Sequence, residues 1–394
     1  LPDRSVKNFE AASFQRGIAR TYGLRILAGR RPPPIDPPGA DRIPDGCEGA
    51  MTSIEVVTGS GISRNDWSAV FEADGLATPY QSPDWMRSVT ASGRLTDATR
   101  MYVSDAGRTI LPLAVSRGMM FGRSAASMPY GFGAGGLISD HAVCGDEMAF
   151  IVADVETLGV SRLSIRPNPM QWPLWKTRAD DWQIVNRTSH VIDLSGGFDT
   201  YWERVISKEK RNRARKAETF GTVLERGSGP EFVERYYRLY LHWAQERSAV
   251  RGIPRPLTGL SARLREPFWR FRDTAKGMGD KLTIYIAVNK GRDVAAAILL
   301  RAGRTVADWR SASDPLRCRE VLGNDFLLIN MIRDACADGA RHYHLGESGG
   351  VESLMKFKEQ YGARALSYGE LVRRPASIRR RARVPGLQSL PVPT

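Results

Sequence analysis

The chain lacks most of what announces a metal centre or a membrane protein. Histidine occurs five times and cysteine four times in 394 residues. The cysteines, Cys47, Cys144, Cys318 and Cys336, stand far apart, with no CxxC pair and no Cys/His cluster. That spacing speaks against a zinc site and against a disulfide framework, and it suits a reducing cytoplasm. His342 and His344 alternate on one expected strand, but no third ligand stands near them in sequence. A structural role is expected for both, and no metal site. No apolar run reaches the roughly 18 residues of a membrane helix; "ILPLAVS" and "AAAILL" are strand-sized. The opening residues lack the apolar core of a signal peptide. The expectation is a cytoplasmic protein without a transmembrane segment.

What is present is an ordinary globular composition, 42% apolar and 25% charged, with a net charge of +14. Such an excess points to an anionic partner: nucleic acid, a phosphorylated cofactor or a lipid surface. Residues 1–50 stand apart, because "RRPPPIDPPGADRIPDGCEGA" is rich in Pro, Gly and Arg and is expected to be disordered. Two readings stay open for them: an over-extended gene start ahead of Met51, or a genuine flexible arm. Residues 374–394 are expected to be a disordered basic tail, with the arginines of "RRPASIRRRARVPG" near its start.

Between these ends the pattern repeats itself. "RMYVSDAGRTILPLAVSR" (100–117) reads as strand, turn, strand, and "VADVETLGVSRLSIRPN" (152–168) as helix, glycine cap, strand. The second half echoes both, in "LTIYIAVNKGRDVAAAILLRAG" (282–303) and "IRDACADGARHYHLGES" (332–348). Hairpins followed by β-α-β units predict mixed, mainly antiparallel sheets flanked by helices. The expected class is α/β (α+β) in two similar lobes, 51–194 and 195–373, divided at the turn-rich "DLSGGFDT".

In the second lobe the order is β-β-β-α-β-α-β. The loop "PLRCREVLG" (315–323) delivers the chain to a helix near Asn324. Free N–H groups at that helix start, around Gly323 and Asn324, form an expected cradle for an anionic group of a co-substrate. The helix "SKEKRNRARK" carries six cations in ten positions. Most such runs are solvated faces; of its residues, Arg211 and Arg215 lie at i and i+4 and are the candidates for a phosphate. "GFGAGG" matches GxGxxG at Gly131, Gly133 and Gly136 but opens no helix, which excludes the dinucleotide-binding use of that motif. It reads as a strand edge where backbone approaches a substrate, with Tyr130 as a polar contact, or as a plain turn or bulge.

The element order, together with "QSPDW" (81–85), "MPYGFGAGG" (128–136), "ISKEKRNRARKAETFG" (206–221) and "YHLGES…MKFKEQYGA", resembles the FemAB/BioF-like branch of the GNAT acyltransferases. The resemblance spans roughly residues 54–373. It implies an N-acyltransferase that moves an acetyl or aminoacyl group from acyl-CoA or aminoacyl-tRNA, with no tightly bound cofactor, to an amine acceptor. It also implies a small-molecule or envelope-precursor acceptor, in cell-envelope or polysaccharide metabolism, with tRNA as a further partner; the excess of positive charge adds peripheral contact with an anionic membrane surface. By the same resemblance Phe357 and Lys358 lie at the transfer site, Lys358 stabilising developing charge, and Trp85 belongs to the substrate-binding set. Lys356 reads as a solvated lysine. Asp308 and Glu347, near ends of second-lobe strands, are positions for a general base. Two departures stand out: "RCREVLGND" has one glycine where CoA-dependent GNAT enzymes carry Gln/Arg-x-x-Gly-x-Gly/Ala. "WMRSVTASG" offers Arg87 and Val89 where peptidoglycan-directed ligases carry a lysine. The alternative reading is a non-catalytic module that binds RNA or an anionic surface.

Overall fold

The computed structural model describes residues 53–116, 122–129, 131–176, 182–249 and 254–373. The extension expected over 1–50, the tail expected over 374–394 and Tyr130 lie outside these residues. In the first half, strand β1 (Glu55–Thr58) leads through helices α1 (Arg64–Ala73) and α2 (Pro83–Thr90) to β2 (Leu95–Asp97), β3 (Arg100–Ser104), β4 (Gly107–Leu111) and β5 (Ala114–Ser116). Then come β6 (Ser124–Ala126), β7 (Ile138–Ser139), α3 (Gly145–Glu156), β8 (Arg162–Ile165), α4 (Trp172–Lys176) and β9 (Gln183–Asp193). The second half opens with α5 (Gly197–Thr200), α6 (Lys208–Glu218), β10 (Val223–Gly227), α7 (Pro230–Ala249), α8 (Arg255–Arg265) and α9 (Phe268–Met278). A meander follows, β11 (Leu282–Asn289), β12 (Arg292–Ala302) and β13 (Thr305–Ser313). The chain then forms α10 (Arg317–Glu320), α11 (Gly323–Ala337), β14 (His342–Glu347), α12 (Glu352–Gln360) and β15 (Arg364–Arg373).

Local chemistry sets the element ends. Ser63, Ser82 and Ser207 cap α1, α2 and α6, each hydroxyl accepting from the N–H three residues on. Lys290 and Gly291 both take positive φ between β11 and β12, the two-residue turn that matches strand twist. Beyond α12 the chain turns at Gly362, φ +79, where a Cβ would stand 2.3 Å from the Val205 side chain, so only glycine fits. β12, "RDVAAAILLRA", is buried along almost its whole length because helices cover both faces of the sheet. Ile284, Ile286 and Ile298 pack with Tyr236 of α7 and Phe271 of α9. On the opposite face Tyr285, Ala297 and Leu299 pack with Ile329 and Ile332 of α11.

Two sheets result, one of order β1-β3-β4-β7 and an eleven-stranded one of order β10-β11-β12-β13-β14-β9-β15-β8-β6-β5-β2. The α/β class and the flanking helices agree with expectation; the allotment of sheets does not, since the large sheet crosses the boundary at 194. β9 pairs antiparallel with β14, and β15 pairs with both β9 and β8. The core crosses too: Trp67 and Trp85 pack in one cluster with Tyr236, Phe271 and Trp309. One sub-topology occurs in both halves, a parallel strand pair whose second strand follows a helix: β6 with β8 after α3, and β13 with β14 after α11.

Cys144 is disulfide-bonded, whereas Cys318 and Cys336 are free. Spacing along the chain does not limit which thiols a fold brings together. Among the described residues no helix is long and apolar enough to cross a membrane.

Candidate functional site

The parallel pairing of β13 with β14 lasts three residues, Thr305↔His342, Val306↔Tyr343 and Ala307↔His344. Just beyond, both strands bulge. β13 carries an extra residue, Trp309, against β12, and β14 an extra Leu345 against β9. Bulges bend and twist strands, so the two part in the middle of the large sheet. Asp308 and Arg310, on this central strand, keep part of their surface exposed as a result.

Three charged side chains meet at this opening. Lys358, buried on α12, reaches back to β14, and its ammonium donates to the carbonyls of Gly346 (2.9 Å) and Glu347 (3.0 Å). Those two carbonyls take two of its three N–H donors. Burial lowers its pKa to about 8, while the negative charges of Asp308 and Glu347 pull the other way. Burial likewise raises Asp308 to about 6, against the hydroxyl of Ser311, which donates to both carboxylate oxygens (3.0 and 3.1 Å), and the charges of Lys358 and Arg310. Glu347 is differently placed, because Arg187 (2.9 Å) and the Tyr368 hydroxyl (2.6 Å) both donate to it. Of the two candidate bases, Asp308 is the one whose lone pairs are less engaged.

The wall of the opening comes from the other half of the chain. Arg310 donates to the carbonyl of Gly131 (2.7 Å) and to Glu266 (3.0 Å), and the Trp309 indole N–H donates to the same Gly131 carbonyl (3.0 Å). The glycines of "GFGAGG" serve this packing. A Cβ on Gly133 would stand 2.4 Å from the Tyr80 ring, and one on Gly136 would stand 2.9 Å from Pro167. Their close neighbours are protein groups, which corrects the expectation of a substrate-facing edge at these two positions.

The remaining expected residues scatter. Trp85 is fully buried, its indole donating to the Phe132 carbonyl (3.0 Å) and its ring meeting Trp309 edge-on at 5.2 Å. With no exposed surface, this side chain packs behind β13. Phe357 is half-buried: Lys210 lies 4.4 Å over its ring and Tyr361 packs at 5.1 Å. Arg211 donates to the carbonyls of Trp202 (2.9 Å) and Glu203 (2.8 Å), while Arg215 is exposed, 5.6 Å over the Trp202 ring. Arg87 is tied to Asp84 and to the Gly277 carbonyl, and Val89 is buried. At the start of α11, Gly323 is buried and Asn324 exposed.

Sequence reasoning missed the cluster behind that helix start. Lys210 is buried and donates to Asp325 (3.0 Å), which also accepts from Arg213 (2.8 Å) and the Tyr361 hydroxyl (2.8 Å). Though burial opposes it, these donors hold the Asp325 carboxyl below its usual range. Two cations against one carboxylate leave the start of α11 with a positive balance. The signal was there in the spacing: Lys210, Ala214 and Ala217, at i, i+4 and i+7, form the buried face of α6.

Comparison with known proteins follows this geometry. A model of the acetyltransferase (GNAT) domain matches residues 206–359. No curated protein matches the chain. Among solved structures FemX is similar, with a TM-score of 0.64 at 11% identity over 84% of this chain and 99% of FemX. L-PGS from Bacillus licheniformis gives 0.46 at 12% identity (80% and 94% covered). A tandem GNAT protein from the clavulanic acid biosynthesis pathway gives 0.44 at 12% (82% and 98%). The likeness to FemX is one of fold, and nothing further is drawn from the other two. Residues 206–359, which hold α6, the parted strands and Lys358, match the acetyltransferase (GNAT) domain model, and the chain shares its fold with FemX.

Proposed function

We propose that the chain is an N-acyltransferase, moving an acyl group from acyl-CoA or an aminoacyl-tRNA to an amine acceptor of cell-envelope or polysaccharide metabolism. The observation that carries this reading is the parting of β13 and β14 with Asp308 and Lys358 at its mouth. Asp308, with a pKa of about 6, is ionised near neutral pH and accepts the proton that an incoming ammonium must lose. The freed amine attacks the acyl carbon, forming the C–N bond, and the acyl oxygen takes up negative charge. The remaining N–H of Lys358 is available to that oxygen, and a fixed donor of this kind is worth roughly 10²–10³ in rate. Collapse then breaks the thioester or ester bond and releases the thiol or the hydroxyl. The positively balanced start of α11, around Gly323 and Asn324, is the place for the donor's phosphates.

The donor is tested by thermal stabilisation with acetyl-CoA and, separately, with charged tRNA. A ligand at about 100 times its dissociation constant adds roughly 2.7 kcal/mol. A shift with one names the donor; no shift with either would overturn the acyl-transfer reading.

A further inference from the structure

Helix α8 wears its apolar residues on the outside. Leu257, Leu260 and Leu264 are 62%, 58% and 76% exposed. At i, i+3 and i+7 they fall within about 60° of arc on one side of the helix. The buried side is made of small residues, Thr258, Gly259 and Ala262. Through them α8 lies close on α7: the Tyr240 hydroxyl donates to the Ala262 carbonyl (3.3 Å), and a Cβ on Gly259 would stand 3.1 Å from the Gln245 amide. The leucines therefore contribute little to this packing. Arg263 and Arg265 are both exposed and flank the stripe, roughly 90–110° to either side of it on the helical wheel. An apolar stripe edged by cations is the pattern of a helix lying in the plane of a membrane interface.

The helix also ends at the site. Glu266, the residue after α8, accepts from Arg270 (2.7 Å) and from Arg310 (3.0 Å), the arginine of β13 that holds the Gly131 wall of the β13/β14 opening. A surface bound along α8 would thus lie beside that wall. We propose that α8 docks the protein on an anionic lipid surface, Leu257, Leu260 and Leu264 entering the acyl boundary while Arg263 and Arg265 meet the headgroups. A second copy of the chain fits less well. Three leucine side chains offer on the order of 350 Å², short of the about 800 Å² per partner of a stable interface, and a two-fold pairing would bring like-charged arginines together. Nucleic acid would leave the leucines without a partner.

The inference does not rest on the acyl-transfer reading, because vesicle binding needs no turnover. The full chain is sedimented with phosphatidylcholine vesicles with and without phosphatidylglycerol. Binding is expected only with the anionic lipid, and is expected to weaken as salt rises. Combining Leu257→Ser, Leu260→Ser and Leu264→Ser is expected to weaken it about tenfold or more with an unchanged melting curve, since these side chains are exposed. Should that variant misfold, Arg263→Glu with Arg265→Glu is the second probe, with the same loss expected. Failure of the wild type to bind anionic vesicles, or undiminished binding by a folded variant, overturns the proposal. So does a dimer, seen by light scattering, that the serine variant abolishes.

Discussion

The two parallel strand pairs have the same topology and opposite fates. In the first half the line of β6 and β8 continues past its last ladder pair. Ser127 N–H donates to the Ser164 carbonyl (2.9 Å), and Gly135 exchanges hydrogen bonds with Arg166 (2.7 Å) and Asn168 (2.8 Å). The glycine-rich stretch thereby zips the opening shut with the chain's own backbone. In the second half nothing among the described residues continues the pairing of β13 with β14, and the charged groups collect there instead. The positions correspond: Ser127 follows the last ladder residue of β6 as Asp308 follows that of β13. Ser127 is fully buried and accepts the Arg166 N–H (3.0 Å), whereas Asp308 keeps part of its surface exposed. Topology provides the opening; what fills it decides whether chemistry is available.

This contrast can be broken at several points. The largest effect is expected for Asp308→Asn, which should lower turnover by roughly 10²–10⁴, while Ser127→Ala at the matching position leaves turnover intact. Equal rates in the two variants would erase the distinction. The pH profile of the wild type should be a bell. Activity falls below about 6 as Asp308 takes up its proton, and above about 8 as Lys358 loses its charge. The two limbs belong to the pair as a unit, and Asp308→Asn should remove the acid limb. Next comes Lys358→Met, expected to reduce turnover by about 10². It also strands two part-buried carbonyls, a cost of about 1–3 kcal/mol visible in the melting curve; a wild-type rate would remove Lys358 from the mechanism. Smaller still, Gly133→Ala forces a methyl into the Tyr80 ring at φ +92. A loss of about 1–3 kcal/mol is expected, read by urea unfolding, and an unchanged midpoint would mean the closed opening is not tightly packed.

Much of the second half was legible in the sequence because its signals are local. Lys290-Gly291 and Gly339 punctuate the strands and α11, and the apolar run of β12 declares burial on both faces. Lys358 was singled out through the family resemblance, which the element order helped to carry. What was not legible depends on distant partners. The bulges at Trp309 and Leu345 arise between strands, with no mark of their own in the sequence. The spacing of Lys210 with Ala214 and Ala217 marks a buried face, but nothing local names its carboxylate partner, Asp325, which lies across the domain. Trp85 carried a family motif and turned out to be core, since a motif records that a residue matters and not whether it supports the fold or meets a ligand. The sheet order could not be read at all: β9 ends the first half but takes its neighbours from the second.

That exchange has a consequence for how the protein is made. During synthesis the first half emerges with β8 and β9 formed from early residues, yet the strand that lies between them, β15, comes from residues 364–373. Until those residues leave the ribosome, both strands present unpaired edges, the feature that invites pairing with other chains. Folding of the first half is therefore expected to finish only after translation has passed the second. A chain cut before residue 364 should aggregate, not yield a stable half.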